Sequence, residues 1–117
     1  MKHKFIYNDL NDLVNDRELV TNPLVFKKIL DVYGEVFSGM ELFLWTDSSN
    51  DEDKFDPMVY KGKFISDDKD KHWYIEVKDD KKIKRLSESD EFKDYSVLDI
   101  IGEKEYKTMQ EQHPEWF

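Results

Sequence analysis

The alternation between Met58 and Val77 constrains this chain more than any other stretch. Met58, Tyr60, Gly62 and Phe64 fall on one side of an extended backbone, and Trp73, Ile75 and Val77 on one side of a second, the period of half-buried strands. Asp67, Asp68, Lys69, Asp70 and Lys71 lie between the runs, so the two strands read as a hairpin with a polar connection. Asp79-Asp80 marks a second tight turn into a third strand, Lys81 to Leu86.

The flanking elements follow from local signals. Lys4 to Tyr7 is either an edge strand or the lead into a helix. Asn8 reads as an N-cap before Leu10, Leu13, Val14 and Arg17, with Asp9 and Asp12 in the first turn, where the helix dipole favours negative charge. Asn22-Pro23 is a sharper helix start, followed by Phe26, Ile29, Leu30, Tyr33, Val36 and Phe37 at helical spacing. Gly39 is expected to end this helix, which leaves Gly34 inside it at a cost of about 1 kcal/mol relative to Ala. Met40 to Thr46 contains the unbroken run Leu42-Phe43-Leu44-Trp45, which reads as a strand covered on both faces. Thr46 to Pro57 reads as a mobile polar loop, and Ser87 to Asp94 as a loop or one helical turn. Tyr95 to Ile101 reads as a last strand with Leu98 and Ile100 inward and Asp99 in solvent. After Gly102, Glu103 to Gln112 reads as a short helix presenting Tyr106 and Met109, stopped by His113-Pro114. Trp116 and Phe117 are expected to pack back on the core.

The expectation is therefore one α+β domain over residues 1–117. N-terminal helices (8–38) precede a five-stranded antiparallel, small-barrel-like sheet (40–101) and a C-terminal helix (103–113). This order of helices and short strands resembles the small-barrel group of Sm-like and SH3-like domains. Tyr60 to Asp68, YKGKFISDD, is similar to the second strand of such barrels, where a glycine lets the strand bend. The resemblance covers residues 24 to 101 and implies RNA binding and ring assembly. No nucleotide-binding motif of that group is matched, so no residue role is carried over from it.

With 117 residues, the chain is large enough for a single core. Apolar residues make up only 38%, but three Trp, six Tyr and eight Phe supply large buried areas. The absence of cysteine excludes a disulfide framework, thiolate catalysis and thiolate zinc sites. No apolar run reaches the ~20 residues of a membrane span. The opening MKHKFIYNDLND lacks the apolar core of a secretory signal, so a cytoplasmic location is expected. The net charge of −9 is segmented: residues 1–60 carry 6 basic and 12 acidic side chains, residues 61–85 carry 9 and 6, and residues 86–117 carry 3 and 9.

That segmentation sets the candidate surfaces. The acidic stretches offer Asp47, Asp51, Glu52, Asp53 and Asp56, then Glu88, Asp90 and Glu91. They suit a protein partner with a basic surface, in the manner of an inhibitor, an immunity protein or a nucleic-acid mimic. The alternative surface is the outward face of the hairpin, where Lys61, Lys63, Lys78, Lys82 and Lys84 surround Tyr74. Lysines would meet phosphates while Tyr74 stacks on a base of RNA or single-stranded DNA. Against it, lysines on exposed strands guard sheet edges, and Glu76 can pair with them.

Metal and catalytic readings fall away. Asp47, Ser49, Asp51 and Asp53 are spaced like a calcium loop, but that loop needs Gly where Glu52 stands and Glu where Met58 stands. His3, His72 and His113 are far apart, with no zinc-protease, phosphate-loop, dinucleotide or nucleophile-elbow motif. The expectation is a non-enzymatic binding protein without metal or cofactor.

Overall fold

The computed structural model describes residues 2–8, 17–69, 71–77 and 83–117. Its centre is the strand Met40–Thr46, because the unbroken apolar run feeds two separate cores. Leu42 and Leu44 point into one, and Phe43 and Trp45 into the other, as the expected two-faced strand requires.

Around that strand the described residues form β1 (Ile6–Tyr7), β2 (Arg17–Leu19), α1 (Pro23–Tyr33), β3 (Met40–Thr46), β4 (Met58–Asp67), β5 (His72–Glu76), β6 (Lys84–Arg85), α2 (Val97–Ile101) and α3 (Glu103–Gln112). The sheet order is β1-β3-β4-β5-β2, with β6 also on β4. β1 runs parallel to β3, while the other pairings are antiparallel. The hairpin of β4 and β5 forms as its alternation demands, with Tyr60, Phe64, Ile75 and Val77 buried on one side and Trp73 packed beside them.

α1 covers this first core through Ile29, Phe26 and Tyr33. Its start is as expected: the Asn22 side chain accepts from the Leu24 N–H at 3.0 Å, and Pro23 sits in the first turn. Tyr33 ties the helix to the sheet. Its hydroxyl donates to the Lys4 carbonyl at 2.7 Å and accepts from the Phe43 N–H at 3.0 Å, and burial raises its pKa. The second core lies on the opposite sheet face, where Phe43, Trp45 and Val59 meet Phe5, Phe55, Leu86, Phe92, Ile100 and Ile101. α2 and α3 close it, with Tyr106 and Met109 packed against it.

Several expectations are corrected. The sheet is an open, mixed one with six strands, not a five-stranded antiparallel small barrel. Residues Ile6–Tyr7 add a parallel strand beside β3, and β6 pairs with Met58 and Val59 of β4 instead of continuing past β5. β4 is long enough to take β5 along 63–67 and β6 at 58–59 on the same side. β1 and β2 remain the outer strands of the order, and the chain enters through a strand rather than only helices.

The expected last strand, Tyr95 to Ile101, is instead the helix α2. Ser96 accepts from the Asp99 N–H at 3.2 Å while the Asp99 carboxylate accepts from the Ser96 N–H at 2.9 Å, a reciprocal cap that starts a helix. Ile100 and Ile101 are both buried, which adjacent residues of a one-sided strand could not be. α1 ends earlier than expected, at Gly34 in the left-handed region with φ 80°, so Gly34 costs no helix interior.

The helix expected after Asn8 falls over 9–16 outside the described residues. At its ends, Arg17 is in β2, and the buried Asn8 side chain donates to Glu18 and Tyr60 at 3.0 and 3.1 Å. The Asp79-Asp80 turn also lies outside the described residues.

Candidate functional site

The first acidic stretch is built by one asparagine. Asn50 Oδ1 accepts from the N–H groups of Glu52 and Lys54 at 2.9 and 3.0 Å, and the Asn50 N–H donates to the Lys54 carbonyl at 2.9 Å. This side-chain turn bridges Ser49 to Phe55 and leaves Asp51, Glu52 and Asp53 exposed. The segment expected to be a mobile loop is thus a hydrogen-bonded turn seated by a core aromatic. Phe55 is buried among Trp45, Trp116 and Phe117, and its N–H donates to the Trp116 carbonyl at 3.1 Å.

Asp56 is placed apart from the other candidates. It is 5% exposed; its carboxylate accepts from the Ser87 N–H at 3.1 Å and also from the Ser87 hydroxyl. It pins the first acidic stretch to the second and presents no charge to a partner.

The second stretch begins with a 3₁₀ turn at Leu86–Glu88. Phe92 is drawn into the core, and its N–H donates to Ser89 Oγ at 3.2 Å. Glu88, Asp90 and Glu91 are left exposed. Arg85 brings the two stretches together: its guanidinium lies 2.7 Å from Glu88 and 3.5 Å from Asp51, and donates to the Ser49 carbonyl at 3.2 Å. The hydrogen bond that Arg85 donates to Glu88 raises the arginine pKa above its ordinary value. One side chain therefore spans stretches more than thirty residues apart in sequence, and Asp51, Glu52 and Glu88 share the shallow depression around it.

The lysine surface is organised differently. On the sheet face opposite α1, Glu41 pairs with Lys63, Lys63 with Glu76, and Glu76 with Arg17 in register. This row of alternating sign across β3, β4, β5 and β2 is what stabilises cross-strand neighbours. Arg17 lies 3.3 Å from Glu76 and also covers the Tyr74 ring, with its guanidinium carbon 5.6 Å from the centroid. Lys61 makes a 2.6 Å ion pair with Glu91, whose hydrogen bond raises the lysine pKa. Lys84 is exposed on β6, beside Val59. Lys78 and Lys82 lie outside the described residues.

A cleft of about 660 Å³ opens where the 47–55 segment faces α3 and the turn at Pro114–Trp116. Asp47, Asp53 and Glu105 contribute carboxylates, and Phe55, Met109, His113 and Trp116 form its aromatic and thioether wall. The His113 ring stacks on Trp116 at 3.8 Å. Glu115 reaches 3.4 Å from His113 Nδ1, and its carboxyl is held below the usual range first by a hydrogen bond from its own backbone and then by His113. Trp116 and Phe117 do pack back, as expected, against Phe55 and Tyr106.

No protein-family model, curated protein or solved structure matches the chain.

Site assignment therefore rests on geometry alone. Among the described residues no group of three or more His, Asp or Glu side chains is arranged to hold a metal ion, and no helix is long and apolar enough to cross a membrane. The acidic candidates Asp51, Glu52 and Glu88 meet around Arg85; Asp47 and Asp53 line the cleft; Glu91 is engaged with Lys61. Sequence reasoning missed Arg85 as the joint and Glu105, His113 and Trp116 as cleft residues. The available signal was Phe55, an isolated aromatic in a polar stretch, which had to be buried somewhere and brought the C-terminal aromatics with it.

Proposed function

We propose that the protein is a cytosolic, non-enzymatic binding protein that recognises a partner with a basic surface through the acidic face formed by residues 47–53 and 88–90. The supporting observation is the convergence of Asp51 and Glu88 on Arg85, which makes two sequence-distant acidic stretches one surface. Such a face steers a basic partner and fixes its orientation by charge complementarity, the mode of inhibitors and immunity proteins. The Lys61–Glu91 ion pair, the place of Lys63 in register between Glu41 and Glu76, and the Arg17 guanidinium over the Tyr74 ring weigh against the nucleic-acid alternative.

The test compares the full chain with an Asp51→Asn/Glu52→Gln/Glu88→Gln variant as bait for affinity capture from cell extract, alongside a labelled single-stranded oligonucleotide. A basic protein captured by the wild type, lost with the variant and eluted by salt is the expected result. Unchanged capture by the variant, or oligonucleotide binding that vanishes when Lys63 and Lys84 are neutralised, refutes the reading.

A further inference from the structure

We propose that the cleft between the 47–55 segment and α3 seats an arginine side chain of the basic partner, an inference that rests on the acidic-face reading and gives it a point of insertion. The first reason is charge. Asp47, Asp53 and Glu105 line the cleft, and none has a cationic side chain within 4.0 Å among the described residues. Asp51, Glu88, Glu91 and Asp99, by contrast, are each ion-paired. Uncompensated carboxylates around a concave wall focus negative potential inward.

The second reason is the wall itself. Phe55, Met109 and the His113–Trp116 stack present flat, polarisable surface beside those carboxylates. An ammonium ion is compact and strongly hydrated, and gains less from such a surface. A guanidinium is planar and weakly hydrated on its faces, so it lies against aromatic rings while its edge N–H groups reach carboxylates. The volume, about 660 Å³, falls in the range of roughly 300–1,000 Å³ typical of pockets that enclose small organic groups.

The position fits as well. The cleft and the Arg85 depression are two sides of one turn: Ser49 and Asp53 line the cleft, while Asn50, Asp51 and Glu52 line the depression. A partner lying on the acidic face therefore has the cleft beside it.

The test is NMR titration of the full chain with N-acetyl-arginine amide, with the lysine and citrulline analogues as controls. Citrulline keeps the shape and removes the charge. The expected result is a saturable shift of the Trp116 indole N–H and Met109 methyl with arginine, weaker with lysine and absent with citrulline. An Asp53→Asn/Glu105→Gln variant, altered at exposed positions, should weaken arginine binding by about 10-fold, equivalent to ~1.4 kcal/mol. Asp31→Asn/Glu35→Gln, the same charge change near α1, should not. Absence of a saturable Trp116 shift, an equal response to lysine or citrulline, or equal loss in the two variants overturns the inference. In the capture experiment, retention of the partner by Asp53→Asn/Glu105→Gln together with its loss by the Asp51/Glu52/Glu88 variant refutes the cleft alone. Retention by both refutes the acidic-face reading too.

Discussion

Replacing Phe55 with alanine tests how the acidic segment is held. Phe55 is 9% exposed and packs edge-on to Trp45 at 6.2 Å, stacked with Trp116 at 6.2 Å and against Phe117 at 6.0 Å. Truncating a buried Phe to Ala costs about 3–5 kcal/mol, from lost transfer energy and the cavity left behind. Phe55 stands at the rim of its core, where Trp116 and Phe117 can partly collapse into the space, so the lower end applies, about 3 kcal/mol. For a chain of this size that corresponds to a fall in Tm of about 12 °C. Urea unfolding followed by far-UV circular dichroism measures it, with an unchanged m-value confirming that the compactness of neither end state has moved. Hydrogen exchange adds a local readout: the N–H groups of Phe55 and Asp56, bonded to Trp116 and Ser48, should exchange faster than those of β3. Phe55→Leu should recover more than half of the loss. A Phe55→Ala cost below about 1 kcal/mol, with both amides still protected, would refute the idea that Phe55 seats this segment.

Three further outcomes follow. A Cβ on Gly62 would stand 3.1 Å from the Glu76 carbonyl, 3.2 Å from Ile75 and 3.3 Å from Leu44, so Gly62→Ala should destabilise by about 1–3 kcal/mol through overpacking, measured by thermal unfolding. The Asp99 pKa is lowered, first by Lys2 and then by the Ser96 N–H. Its stabilisation is therefore present above the unfolded carboxylate pKa of about 4 and is lost as pH falls through the lower folded value; Asp99→Asn should be less stable than wild type at pH 6, and the gap should narrow by pH 2 in acid-unfolding curves. A double-mutant cycle on Lys61 and Glu91, both about 40% exposed, should return a coupling of about 0.5 kcal/mol that shrinks in salt.

The parts of the fold legible in sequence are those whose signal is local and repeated. Alternation placed Tyr60, Phe64, Ile75 and Val77 inward; Asn22-Pro23 placed the start of α1; Glu103 to Gln112 is α3 to the residue. Where two periods compete over few residues, the outcome was decided elsewhere. Leu98-Asp99-Ile100 alternates like a strand, but five residues carry little periodicity, and the cap between Ser96 and Asp99 settles the backbone as helix. The parallel partner of β3 was not legible because two residues, Ile6 and Tyr7, pair with Leu44 and Trp45 across nearly forty positions, and no local rule specifies non-local register. The candidate face was legible as composition but not as geometry. The carboxylates of Asp51 and Asp56 look alike in sequence, yet one is exposed and the other is buried on Ser87.

The charge segmentation takes on a different meaning once the ion pairs are placed. Three cations of the net-positive central segment are engaged within the molecule: Lys63 stands in register between Glu41 and Glu76, Lys61 on Glu91, and Arg85 between Asp51 and Glu88. Among the described residues, Asp47, Glu52, Asp53, Asp90 and Glu105 have no cationic side chain within 4.0 Å. The two acidic contacts of Arg85 are also unequal. Glu88 is held at 2.7 Å, while Asp51 is 3.5 Å away on a side chain 99% exposed to solvent. Surface contacts of the second kind contribute little to stability, so Asp51 can turn from Arg85 toward an incoming cation at small cost while Glu88 keeps Arg85 neutralised. On the acidic-face reading, Asp51 is therefore the carboxylate that exchanges an internal partner for an external one, and Arg85 holds the face together before and after the exchange.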